Sequence, residues 1–137
     1  GWVYNASPGA ERYILSQRGS SSGWELRINS TNLMQFFFTG GSTLTSTSVI
    51  PSNQWAFIAV TRSANSLKIY INGTLDATNA SFTNGTSAAS AYPVYIGNST
   101  SAGGGLFLGY IKDLRITKGN ARYTTTFTPP TAPLQIK

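Results

Sequence analysis

Residues 109–130 read GYIKDLRITKGNARYTTTFTPP, the most specific text in the chain. Together with residues 106–108 they predict a last long strand over 106–117. Its apolar phase slips between Ile111 and Leu114, which places a bulge near Lys112 and Asp113. A tight turn follows. The chain then leaves past Tyr123 and Phe127 toward Pro129 and Pro130.

Upstream, residues 67–78 (LKIYINGTLDAT) show the same period of two. Leu67, Ile69 and Ile71 alternate with Lys68 and Tyr70. Asn72-Gly73 suits a two-residue type I′ hairpin, which needs positive φ at both central positions. The prediction is an exposed Asn72 at a hairpin tip, between strands 67–71 and 74–78. Residues 55–62 (WAFIAVTR) form a continuous apolar run, as in a central strand covered on both faces. Further strands are predicted over residues 1–5, 13–17, 24–28, 33–38, 43–50 and 94–97, separated by Gly, Pro, Asn and Ser turns. No helical period exceeds one turn. About a dozen short strands make an all-β, two-sheet antiparallel sandwich.

Composition narrows the chemistry. The 137 residues suit one domain, assigned to residues 1–128, with residues 129–137 as a Pro-rich extended tail. The chain has no Cys and no His, so it lacks disulfides, the commonest general base and the commonest metal ligand. Its acids are Glu11, Glu25, Asp76 and Asp113, against ten Lys and Arg and a formal charge of +6. The cations are scattered singly, unlike a phosphate-tracking run, so no nucleic-acid partner is expected. No apolar run of membrane-spanning length occurs. Only 10% of residues are charged. A surface of Ser, Thr, Asn and Gly fits an extracellular or virion-surface location. The chain opens at Gly1 rather than Met, which reads as a processed product, a fragment or the ordered part of something longer.

Residues 109–130 resemble the closing segment of laminin-G-like domains of the concanavalin A-like lectin/glucanase superfamily, notably those of phage and environmental structural proteins. The shared text is G-Y/F-I-x-D-L-R-I-T, then K-G-x-A-R-Y-T, then F-T-P-P. Residues 67–78 match the family again. Residues 55–62 resemble its W-x-H-V-A-V-T-R strand, with Phe57 where histidine is frequent, and residues 94–97 resemble its I-x-I-G. The resemblance implies a jelly-roll sandwich. It also implies that GWVY, residues 1–4, starts about two strands into the domain, so the opening strand is missing. The fold hosts lectins, hydrolases, adhesins and spacers alike.

Glycoside hydrolysis needs two carboxyl groups flanking one bond. The four acids are dispersed, so no catalytic residue is assigned and no enzyme is expected. Many laminin-G domains bind calcium through several oxygens. Asp76 is the lone carboxylate that invites the idea, and neither metal nor cofactor is assigned otherwise. Sugar-stacking candidates are Tyr4, Tyr13, Phe36, Phe37, Phe38, Tyr70, Tyr92, Tyr95, Tyr110 and Tyr123, with no feature selecting among them. The motif N-x-[ST] recurs at Asn5, Asn29, Asn72, Asn79, Asn84 and Asn98, which are candidate glycan acceptors.

A sandwich lacking a strand is either a domain cut from a longer parent chain or one that offers its edge to a neighbour. The stiff TPPTAP, residues 128–133, precedes LQIK, in which Leu134 and Ile136 alternate with polar residues. The expectation is a non-catalytic homopolymer subunit, of an extracellular filament or phage fibre, joined by strand donation through Leu134 and Ile136. A carbohydrate-binding adhesion module is the alternative. A glycoside hydrolase ranks third.

Overall fold

The structure is a computed structural model that describes residues 1–19, 21–85, 92–99 and 104–133. It is all-β. In chain order the strands are β1 (Trp2–Asn5), β2 (Arg12–Arg18), β3 (Gly23–Ile28), β4 (Leu33–Phe38), β5 (Thr43–Val49), β6 (Trp55–Ser63), β7 (Ser66–Ile71), β8 (Thr74–Asn79), β9 (Tyr95–Ile96) and β10 (Gly109–Lys112). Five form a sheet in the order β10-β1-β6-β7-β8, and five form a second in the order β5-β4-β3-β2-β9. The ladders are antiparallel.

Alternation sets the core. Val3, Ala56, Ile58, Leu67, Ile69 and Ile71 of the first sheet meet Ile14, Leu15, Leu26, Ile28, Met34 and Leu44 of the second. A bulge between Tyr13 and Leu15 breaks the period of two in β2. It turns both Ile14 and Leu15 inward, which strict alternation forbids. The Asn72-Gly73 hairpin is as predicted: φ is 50° and 83°, and Asn72 is exposed. Gly73 is required twice over. A Cβ there would lie 1.9 Å from the Phe127 carbonyl oxygen.

Residues 123–129 form no strand. They cross the outer face of the first sheet as a strap. Tyr123 and Phe127 stack at 3.6 Å, and both meet the buried Phe57 edge-on. Thr61 Oγ1 donates to the Tyr123 carbonyl, Lys68 Nζ to that of Thr124, and Phe127 N to that of Gly73.

The last strand departs from expectation. It stops at Lys112, where Asp113 takes φ 52°, instead of bulging and running to Thr117. The phase slip marked the right residue. The last pair of the ladder is Trp2 opposite Lys112.

Candidate functional site

The ladder between β1 and β6 stops partway along β6. Trp2 pairs with Phe57. Gly1 N then donates to the Ile58 carbonyl at 3.0 Å, and Ile58 N donates back to that of Gly1 at 2.8 Å. Reciprocal bonds of this kind make a narrow, hydrogen-bonded pair. Among the described residues no strand pairs with residues 59–63 on the same edge, although β7 pairs with them on the other. Residues 114–124, beyond the end of β10, flank the far side. Between the two lies an open groove of about 850 Å³. Val60, Leu67 and Leu114 line it from one side, and Leu26, Trp24, Phe36 and Phe38 from the other. Ile116, at its lip, is 62% exposed. Burial lowers the pKa of the Gly1 amine to about 6, against the opposing pull of Asp113. The groove is thus bounded by β6 on one side and by residues 114–124 on the other. It is lined by apolar side chains and walled on one side by the ladder edge of β6.

The opposite margin is closed. Asp76 of β8 reaches across to β5. Its Oδ2 accepts from Thr47 N at 2.5 Å and its Oδ1 from Ser48 N at 3.1 Å. Ser42 N donates to the Thr83 carbonyl nearby. Asp76, the lone calcium candidate of the sequence, thus clamps the two sheets together. Among the described residues no three His, Cys, Asp or Glu side chains cluster as metal ligands.

Two acids that look dispersed in sequence are brought together. Arg27 lies 3.3 Å from Glu11 Oε1 and 3.5 Å from Glu25 Oε2, and Arg18 lies 2.8 Å from Glu25 Oε1. The Glu25 side chain is fully buried. The Tyr13 hydroxyl donates to Glu11 at 3.1 Å; burial chiefly, then the Glu25 charge, pushes its pKa up. Both guanidiniums lie over the Phe37 ring, at 5.5 and 5.6 Å. Arg27 occupies the space between the carboxylates that a scissile glycosidic bond would need. The cluster is an ion-pair network that fastens β2 to β3. Asp113 has Lys112 Nζ at 3.9 Å.

The sequons divide. Asn5 is fully buried, and its Nδ2, the atom a glycan would take, is buried without a partner. In the folded chain that atom is closed to solvent. Asn72 and Asn84 are exposed; Asn29, Asn79 and Asn98 are half-buried. Asn5, Asn29 and Asn79 each accept, through Oδ1, from the backbone N–H two residues on. Such Asx turns favour Asn followed two places later by Ser or Thr, so turn formation alone accounts for part of the sequon excess. Leu134 and Ile136 lie outside the described residues.

Among the aromatics, Tyr4 makes ring contacts at 5.7 Å with both Trp55 and Tyr110, its register partners across β6 and β10. Trp55 is 43% and Tyr110 65% exposed. Trp55 was missed because residues 55–62 read as covered on both faces. The usable signal is its phase, shared with outward Phe57 and opposite to Ala56 and Ile58.

No curated protein matches the chain. Among solved structures, an S-layer domain-containing protein of Clostridium thermocellum (residues 221–444) is similar at 24% identity, with a TM-score of 0.41. The match covers 82% of this chain and 59% of that one, so this chain spans under two thirds of its relative. A laminin G family model, described as concanavalin A-like lectin/glucanases superfamily, matches residues 1–122. The two five-stranded antiparallel sheets agree with it, and the chain belongs to the concanavalin A-like lectin/glucanase superfamily.

Proposed function

We propose that this chain is a non-catalytic structural module of an extracellular or virion-surface assembly, a repeating unit that joins its copies by adding a strand in the slot beside β6. The observation that supports this is the open, largely apolar groove between the sheets, bordered by residues 58–63 of β6. The ion-paired acids support a role without turnover, and no cofactor enters it. Head-to-tail strand addition is heterologous, so copies propagate as a filament rather than close into a ring. Sedimentation velocity over a concentration series, with electron microscopy, tests the proposal. Particles that grow with concentration into fibres are expected; a monomer at every concentration overturns it.

A second reading, carbohydrate binding, is favoured by exposed Trp55 and Tyr110 flanking half-buried Tyr4. Ring faces of this kind offer apolar area with a polar rim. Selective binding on a glycan array, lost in Tyr110→Ala, would establish it. Exposed Asn72 and Asn84 are the sequons best placed to carry glycans of their own, which a mass shift after amidase treatment would reveal.

A further inference from the structure

We infer that Asn84 is a site of self-modification: the Gly85 amide attacks its carboxamide, with the Arg62 guanidinium as oxyanion donor. The product is an aspartyl or isoaspartyl residue held beside Arg62. This goes beyond the structural role proposed above and does not depend on it.

The chain holds two Asn-Gly pairs, Asn72-Gly73 and Asn84-Gly85. With no Cβ, glycine leaves its amide the least hindered nucleophile toward the preceding carboxamide. The fold needs glycine at both places: a Cβ at Gly73 would collide with the Phe127 carbonyl oxygen, and one at Gly85 with that of Thr39. The structure treats the two asparagines differently. Asn72 is tied to β6 twice, its N donating to the Phe57 carbonyl at 2.8 Å and its Oδ1 accepting from Phe57 N at 2.9 Å. Gly73 is buried, and its carbonyl accepts from Phe127 N at 2.9 Å. Ring closure at Asn72 must therefore break the bond to Phe57 N and open the turn beneath the strap. Asn84 is exposed. It follows an anchored pair: Phe82 N donates to the Asn65 carbonyl at 2.8 Å, and Ser42 N to that of Thr83 at 3.1 Å.

Arg62 Nη1 donates to Asn84 Oδ1. A guanidinium only donates, so the carboxamide oxygen is the atom that faces it. Arg62 is itself held in place. Its Nε donates to the Ala64 carbonyl at 2.9 Å and its Nη2 to that of Phe82 at 3.5 Å, and it lies over the buried Phe82 ring. The chemistry follows from this geometry. Gly85 N, losing its proton to water, forms a bond to Asn84 Cγ. The carbonyl electron pair moves onto Oδ1, where the fixed cation meets the developing charge and lowers the barrier. The Cγ–Nδ2 bond then breaks, and ammonia leaves with a proton from water, so a cyclic imide remains. Water adds to either imide carbonyl, and the ring opens to aspartate or isoaspartate. The balance is one water in and one ammonia out, with no oxidant or cofactor. The new carboxylate faces Arg62, and an ion pair replaces the bond to a neutral acceptor. At Asn72 the corresponding donor, Phe57 N, is neutral and belongs to the ladder that keeps the turn closed.

The second Asn-Gly pair is the internal control. The chain is aged folded and in urea at the same mildly alkaline pH, and peptide mass spectrometry follows amide-to-acid conversion at both asparagines. The material is unglycosylated and untreated with amidase, because enzymatic deglycosylation leaves the same aspartate. In the folded chain Asn84 is expected to convert about tenfold faster than Asn72 or more, and in urea the two should agree within about threefold. Asn72 converting as fast as Asn84 in the folded chain overturns the assignment. So does an Asn84 that converts more slowly folded than in urea. Arg62→Gln is expected to slow Asn84 about threefold or more in the folded chain and to leave its rate in urea unchanged. An unchanged folded rate overturns the part given to Arg62. Asn72 reports the fold in the same sample, since it reaches its urea rate only if the chain has unfolded. Should Arg62→Gln unfold, Arg62→Lys is read instead, with the same expectation: it keeps the charge and the stem over Phe82 but loses the planar fork.

Discussion

The two margins of the sandwich are finished in different ways. At the β5–β8 margin a single carboxylate, Asp76, takes up two backbone N–H groups of the facing sheet, and residues 41–42 meet 83–85 beside it. Beside residues 58–63 of β6, on the side away from β7, apolar side chains face an open groove. A closed margin satisfies its polar groups locally and leaves little for another chain to take. An open one keeps both the hydrogen-bonding edge and the hydrophobic gain in reserve for an added strand. Assembly and stability are therefore expected to separate, one to each margin.

The largest effect belongs to neither margin and sets the scale. Ile69 is fully buried between the sheets. Ile69→Ala should cost about 2–5 kcal/mol in urea unfolding. Next comes the clamp. Asp76→Ala strands the N–H groups of Thr47 and Ser48, but the site is partly open to water, so about 1–2 kcal/mol is expected, at the low end for bonds to a charged group. Filament formation at matched folded concentration should not change. Lost assembly in Asp76→Ala would break the division between the margins.

The sheet strands were legible because alternation and turn chemistry act locally. The Asn72-Gly73 tip follows from two residues, and the position where the last strand fails follows from a one-residue slip at Asp113. The clamp was not legible. Asp76 and Thr47 lie 29 residues apart, and nothing in either neighbourhood announces the other. The Glu11–Arg27–Glu25 network was hidden for the same reason: the residues meet only after β2 and β3 pair. Burial of Asn5 reflects its inward phase beside Val3, which the sequon motif ignores. The strap was misread as an exit because Tyr123 and Phe127 carry no strand period. Their role is set by the face they cover.

The third prediction addresses the end of the open slot. In a chain whose amine is free at Gly1, the pKa is about 8.0 unfolded and about 6 folded, through burial. Between those values the unfolded chain binds more protons, so stability is full above pH 8 and falls as the pH drops toward 6. The full shift corresponds to under about 3 kcal/mol; discounted for residual solvent access, a loss of about 1–2 kcal/mol is expected. Urea midpoints at pH 8.5 and 5.5 measure it. Acetylating Gly1 removes the charge and should abolish the amine's share of the loss. An unchanged pH profile after acetylation would show that the amine is not held inside the margin.

The smallest effect on stability is the sharpest probe of the comparison. Ile116 stands at the lip of the slot, 62% exposed, so in the single chain Ile116→Ala removes contacts that are mostly with water. Its unfolding free energy should move by less than about 0.5 kcal/mol, as for an ordinary surface substitution. A strand seated in the slot would cover that side chain. The same substitution then loses burial worth about 1 kcal/mol at each junction, which is a roughly fivefold rise in the concentration needed for assembly. Asp76→Ala should show the opposite ratio, with the stability loss large and the assembly shift absent. If Ile116→Ala moves stability and assembly equally, or moves neither, the open margin is no more an interface than the closed one.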